Sequence, residues 1–527
     1  MKEGFRPAMA WLHTWGGLVF TWLLFAIFFA GTLSFYREEI TLWMQPELHR
    51  VQSSVDQFDG VAFALKELQQ RAPDAKRWSI NFPDARDATI SISWTKDGRF
   101  DRNATAVIDP NNGAVLNPRA TLGGTFFRSF HYSLMAGPLG VWIVGAATMM
   151  MLVALITGVI IHKKIFKDFF TFRPQKSPGR SWLDAHNVSG VMSLPFHLMI
   201  TYTGLVTLMF TFVPAAATIA YQGDQALFLK EAFSRKEAPA ASGQPAALTD
   251  LLPLLIKTRT HWHGAEIGGV TINNPGDTVA VIDITRKRGA TLAARAEPVL
   301  RFDGVSGQQL NEFTNDSVAK STYGVFYGLH VAWYAGFFLR ALSFVMGITG
   351  CVMIASGAVL WTVKRRDKHT GDSSATGYRF VEAFNVAGIA GLMVASAIYF
   401  WANRLLPVNL QERIDWEMRC LFIAWLLTLA HAILRDKPTA AWRDQFWLAG
   451  FLIALLPVLN AVTGGLSLFE AMLQNHWRLA GVDLSTMPLA AVLAWTGWRI
   501  GLPKKTTSAK RNSKSRIVDL EELEEAA

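Results

Sequence analysis

Twelve histidines are spread over 527 residues, and five of them fall in or beside runs otherwise built from Leu, Ile, Val, Phe, Met, Trp and Gly: His13, His131, His186, His197 and His330. An ionisable side chain is costly inside a bilayer and so marks function there. Imidazole is also the commonest metal ligand among side chains. Histidines in such places could hold haem iron, because a b-type haem needs one or two axial imidazoles from facing helices and an apolar slot for its ring. The alternative is that they cap helices or sit at the membrane interface. Both cysteines, Cys351 and Cys420, lie in apolar runs and read as small core residues. The chain contains no C-x-x-C-H, which excludes covalent c-type haem.

The elements that must carry these residues are membrane spans. The chain is 51% hydrophobic and 17% charged, too apolar for an ordinary soluble protein. Apolar runs near 12–36, 131–161, 184–213, 330–362, 379–402, 416–434, 444–466 and 486–501 predict about eight helical spans. The first is too long for a removed signal peptide and lacks a small-residue cleavage site before Tyr36-Arg37-Glu38-Glu39. The net charge of +10 is concentrated in short segments: 162–180, Lys364 to Lys368, and the tail from Lys504 to Arg516. Their alternation places both termini on the cytoplasmic side, with 37–130 and 214–329 outside. No nucleic-acid-binding motif accompanies the charge.

Each outer stretch reads as a small α+β domain. A helix pattern at 59–72 precedes strands around Trp78, Ala88–Trp94 and Thr105–Asp109, and a helix at 247–258 precedes strands near 269–272, 278–284 and 298–303. The order of parts is therefore a span at 8–36, a domain at 37–130, a span at 131–162, a basic loop at 163–183, a span at 184–213, a domain at 214–329, a span at 330–362, four spans in 379–501 and a tail at 502–527. The first half is written twice. Setting His13 on His186 sets Gly17 on Gly190 and Gly31 on Gly204 without a gap; setting His131 on His330 sets Gly158 on Gly357. Both copies keep one orientation, so this is a parallel repeat with its axis along the membrane normal.

Trp11-Leu-His13-x-Trp-x-Gly17, Asp184-Ala-His186-Asn-x-x-Gly190, Phe130-His131, Leu329-His330 and the Asp-x-x-x-Gly strand endings of the outer stretches together resemble the PepSY-associated transmembrane family, over about residues 8–365. Its members include inner-membrane ferric-siderophore reductases and iron-regulated membrane proteins. The resemblance implies PepSY-like outer domains and two non-covalent b-type haems that link the two membrane faces. The repeat sorts the histidines into two symmetric pairs in a four-helix bundle: His13/His186 at the cytoplasmic end and His131/His330 at the outer end. A difficulty follows from length, since the fourth span covers about 45 Å of helix at 1.5 Å per residue, a long gap for two haems at opposite ends. His197 lies 11 residues after His186 on the same helix face, and its repeat counterpart is Leu24. It is either the ligand of a more central haem or a buried polar residue bonded to a neighbour. His162, opposite Trp361 in the repeat, is interfacial or a further inner ligand.

Arg128 and Arg340 flank the outer pair and could bind haem propionates in a bidentate fork, Arg340 alternatively bracing a helix. Tyr323, Tyr327, Trp333 and Tyr334 read as an aromatic belt, and His261, His263, His431 and His476 as surface or interfacial residues. No G-x-G-x-x-G follows a strand, and neither a Walker motif nor H-E-x-x-H occurs, so a nucleotide domain, ATP-driven transport and zinc proteolysis have no support. Electrons would then come from a cytoplasmic reductase or from quinol. The expected function is haem-dependent reduction of a ferric siderophore or other ferric chelate at the outer face, releasing Fe(II). Its rivals are a non-redox binding or regulatory module and a quinol-linked b-type cytochrome serving another redox protein.

Overall fold

A computed structural model describes residues 4–502, apart from 53–55, 97–100, 102–103, 163–172, 174–176, 213–214, 225–226, 229–237, 295–296, 315–316 and 366–374. Most of the basic loop, much of the basic run at 364–368 and the tail fall outside the described residues. Among the described residues, seven helices are long and apolar enough to cross a membrane: Phe5–Ser34, Gly137–Ile161, Phe337–Arg365, Thr376–Leu405, Arg413–Leu434, Pro438–Val462 and Trp477–Gly501. The chain is a multispan helical membrane protein.

The first half starts with α1 (Phe5–Ser34), α2 (Arg37–Met44) and α3 (Val61–Arg71), followed after three strands and a short fourth by α4 (Thr125–Ser133) and α5 (Gly137–Ile161). The span expected at 131–162 is thus two helices. Leu134 and Met135 take positive φ, and Pro138 starts α5, so the helix carrying His131 cannot run into the span. The second copy breaks in the same way. The helix Val318–Val331 carries His330 and ends at Ala332 in the left-handed region, before the span Phe337–Arg365. The segment expected at 184–213 is broken as well, into Pro178–Met192 and Leu194–Thr207, with Pro195 opening the second piece. α1 packs on α5 and on Phe337–Arg365; the broken segment packs on Phe337–Arg365 through its first piece and on α5 through its second.

The two outer stretches do not form two domains. Strands β1 (Arg77–Asn81), β2 (Ile90–Thr95), β3 (Thr105–Ile108), β4 (Val115–Leu116), β5 (Ile267–Asn273), β6 (Val281–Arg286), β7 (Val299–Asp303) and β8 (Gln309–Phe313) make one antiparallel sheet in the order β4-β3-β2-β1-β5-β6-β7-β8. The seam is β1 on β5, with Trp78 opposite Ile272 and Ile80 opposite Val270. Alone, each half would present its first strand as an open edge; pairing the two edges satisfies both. α3 and the helix Leu251–His261 bury Ala64, Leu68, Leu251 and Leu255 against Ile80, Ile92, Ile272, Ile284 and Phe302 in a single core.

The last four spans form an appended bundle. Pro438–Ala454 packs along Trp477–Gly501, and Leu392–Leu405 along Arg413–Leu434. It joins the first half through a π-helical turn, Ala387–Gly391, beside α1 and through the Trp22 indole, which donates to Asn385 Oδ1 at 2.8 Å.

Candidate functional site

The four repeat histidines share one local geometry. His13 Nδ1 lies 2.9 Å from the Ala154 carbonyl, His186 Nδ1 2.8 Å from Met353, His131 Nδ1 2.8 Å from Ile27 and His330 Nδ1 3.0 Å from Ile200. Ala154 and Met353 are repeat equivalents, as are Ile27 and Ile200. A carbonyl only accepts, so each Nδ1 carries the proton and each Nε2 keeps a free lone pair. This is the arrangement that orients a metal-ligating imidazole and fixes its tautomer.

The repeat glycines explain how the imidazoles reach those carbonyls. Each acceptor sits four residues before one of them: Ala154 before Gly158, Met353 before Gly357, Ile27 before Gly31 and Ile200 before Gly204. A helical side chain covers the turn N-terminal to its own Cα, so glycine at that position uncovers the carbonyl for a second bond. A Cβ on Gly31 would stand 2.7 Å from His131 Nδ1, and one on Gly204 3.0 Å from His330 Cε1; at Gly357 and Gly158 the distances to His186 and His13 are 3.1 and 3.3 Å.

The pairs expected from the repeat come together. His13 and His186 have ring centroids 6.2 Å apart with planes at 74°, and His131 and His330 5.9 Å apart at 25°. Two imidazoles bound through nitrogen to one metal at about 2.0 Å would have centroids roughly 6 Å apart. His131 and His330 line a cavity of about 390 Å³ at the sheet end. His13 and His186 line one of about 640 Å³ at the far end, where Gly17 leaves open space. Leu24 and Met151 line both, so one layer of side chains divides the two sites.

Residues 10–364 match the family model described as the PepSY-associated TM region. The chain belongs to this family. It is also 23% identical over 383 residues to the uncharacterized protein PA4219 of Pseudomonas aeruginosa, a match covering 70% of this chain and 93% of that protein. Both histidine pairs lie within the PepSY-associated region, and the four appended spans lie beyond it.

The remaining predicted residues fall in different places. Arg128 and Arg340 both line the sheet-end cavity. The Arg128 guanidinium lies over Tyr132, while Arg340 pairs with Glu39 at 3.2 Å and lies over Tyr36. His162 lines the far-end cavity, its Nε2 3.0 Å from the Asn187 amide. His197 is fully buried but lines neither cavity. Its Nε2 donates to the Met346 carbonyl at 3.3 Å and its ring meets Phe28 edge-on, the reverse tautomer of the other four. His261 bonds Glu312 at the protein surface.

Sequence reasoning missed the basic groups at the cavity mouths. At the far end these are Arg180, Lys364 and Arg365, the last stacked on Trp361. At the sheet end Arg86, from the β1–β2 loop, reaches Glu39 at 2.5 Å and Glu38 at 2.6 Å. The Tyr36-Arg37-Glu38-Glu39 run was the available signal for a charged mouth, but its partner came from a distant loop.

Proposed function

We propose that this protein carries electrons across the bacterial inner membrane through two b-type haems, one held by His13 and His186 and one by His131 and His330, and reduces a ferric chelate such as a ferric siderophore at the sheet end, which faces the periplasm. The observation that carries the proposal is the set of four Nδ1–carbonyl bonds at repeat-related positions, which leaves four Nε2 lone pairs in two facing pairs. Two nitrogens do not complete the sphere of a free transition ion, whereas a porphyrin brings its own equatorial nitrogens. Each cavity is apolar along its walls and carries guanidinium or ammonium groups at its mouth, suited to a flat apolar ring with carboxylate tails.

When bound, haem supplies reversible one-electron iron chemistry. The protein's part is to hold the ligands in one tautomer, keep the walls dry and neutralise the propionates with Arg128 and Arg340 at one end and Arg180 and Lys364 at the other. One electron from a cytoplasmic reductase or quinol would turn Fe(III) in the chelate into Fe(II), which hard oxygen ligands hold less tightly. The test is a visible spectrum and haem quantification on protein expressed with ample haem, followed by a ferric-chelate reduction assay. Two haems per chain and transfer to the chelate are expected. A protein without a Soret band would leave the non-redox binding module; haem that reduces without passing electrons to the chelate would favour a cytochrome serving another redox partner.

A further inference from the structure

We infer that the appended four-helix bundle clamps α4, the outer-site ligand helix of the first copy, and not its counterpart in the second copy, so that its residues position His131 and make the two halves of the outer site inequivalent. The inference rests on the haem reading for its redox consequence, and on packing for the clamp itself.

The chain between the sheet and His131 is gripped almost residue by residue. Arg119 Nη1 donates to the Asn403 carbonyl at 2.9 Å, Arg413 donates to Ala120 O at 2.8 Å, Thr121 Oγ1 donates to Glu417 at 2.6 Å and the Tyr399 hydroxyl donates to Gly123 O at 3.1 Å. α4 then lays Phe126 on Tyr399, with centroids 4.7 Å apart, Phe127 on Phe400 at 6.2 Å, and Phe130 between Phe422 and Trp425, each at 6.1 Å. His131 is the next residue. Glu417 and Arg413 are buried and form an ion pair, and Asn403 also donates to Glu417. A buried ion pair of this kind is poor evidence for stability; its best-attested use is to fix register. Here it fixes the register of the segment 119–123 against the bundle.

The second copy is held differently. Among the described residues, the helix carrying His330 packs its Gly324 and Gly328 against the carbonyls of Ala294 and Leu292, and Tyr323 bonds the Thr207 carbonyl. The ligands obey the repeat while their supports do not. Through this asymmetry the bundle sets the orientation of one axial imidazole, and axial-ligand orientation is a lever on haem potential.

The experiment uses the full-length protein with Tyr399→Phe, Thr121→Val and the two combined, which remove hydroxyls and keep shape, and Thr121→Ser as the rescue. Hydrogen exchange at 119–133 is expected to rise in the double variant while 318–331 stays unchanged. In redox titration and low-temperature paramagnetic resonance, the component that His131→Ala removes is expected to move, and the one that His13→Ala removes to stay; Thr121→Ser should restore the wild-type signal. Unchanged exchange at 119–133, or equal change in both segments, overturns the clamp. Faster exchange with both haem components unmoved overturns the positioning role. Wild-type protein without haem overturns the haem reading and the redox consequence together, and the exchange data then judge the clamp separately.

Discussion

Gly31→Ala gives the sharpest test of the histidine geometry, because two effects on it have opposite signs. Alanine is the better helix former by about 1 kcal/mol, so α1 itself gains from the change. The new methyl, however, would stand 2.7 Å from His131 Nδ1 and 2.8 Å from its Cε1, where ordinary contact begins at 3.4 Å. His131 must therefore retreat by about 0.7 Å, several times the roughly 0.2 Å tolerance of a metal–ligand distance. The retreat also stretches and weakens the 2.8 Å bond to the Ile27 carbonyl. Losing an outer-shell partner of this kind typically lowers metal affinity about 10–100-fold. Haem per chain at limiting haem should fall toward one while thermal stability of the haem-free protein holds or rises. Alanine at Gly204, Gly357 and Gly158 should do progressively less, following gaps of 3.0, 3.1 and 3.3 Å. A Gly31→Ala protein that keeps two haems with unaltered spectra would refute the reasoning, because no arrangement with His131 as ligand tolerates that methyl unmoved.

His131→Ala and His330→Ala should each remove the same one of two haems, and His197→Ala should remove neither, read by haem quantification; loss from His197→Ala alone would overturn the pairing. Gly17→Leu should fill the open space of the far-end cavity and displace that haem, leaving the sheet-end component in the difference spectrum. His49 lies outside the spans, takes the Leu466 N–H on Nδ1 and bonds the Leu42 carbonyl through Nε2; burial, with Arg404 nearby, pulls its pKa from 6.5 to about 4. The unfolded chain binds the extra proton between those values, so this contribution is complete above pH 6.5 and is lost as pH falls toward 4, at most about 3 kcal/mol. Melting in detergent should therefore drop more between pH 7 and 5 in wild type than in His49→Gln, Glu47 being the nearby group that opposes the effect.

The repeat was legible because it is local: equal spacings of His and Gly on single helices survive in sequence without knowledge of any neighbour. The seven long spans were legible from apolar length, and the residues of both pairs from the alignment of the copies. The helix breaks after His131 and His330 were not read: Gly137-Pro138 was a turn signal for the first, but Leu134, Met135 and Ala332, which adopt positive φ, carry none. The single sheet was hidden for a related reason. Whether β1 ends a domain or pairs with β5 depends on what lies beside its edge, about two hundred residues away. The glycines were visible as repeat markers, but their purpose was not: it needs the knowledge that each stands four residues past the carbonyl that a histidine on another helix uses.

That geometry also resolves the distance between the two sites. Measured by the length of the fourth span, ligands at opposite ends look about 45 Å apart. Both histidine pairs, however, touch α1 or its immediate neighbours well inside its ends. His13 is on α1, and His131 bonds the carbonyl of Ile27, fourteen residues later, which is about 21 Å along the axis. The short helix before the second span of each copy makes this possible, because it sets His131 and His330 against the carbonyls of Ile27 and Ile200 in the bundle. The two cavities then meet at Leu24 and Met151. His197, whose Nε2 bonds the Met346 carbonyl, lines neither cavity. Leu24, its counterpart in the repeat, is with Met151 one of the two residues that line both cavities. The copies therefore diverged where the barrier lies, with an apolar side chain at the dividing layer in one half and a carbonyl-bonded imidazole packed away from it in the other.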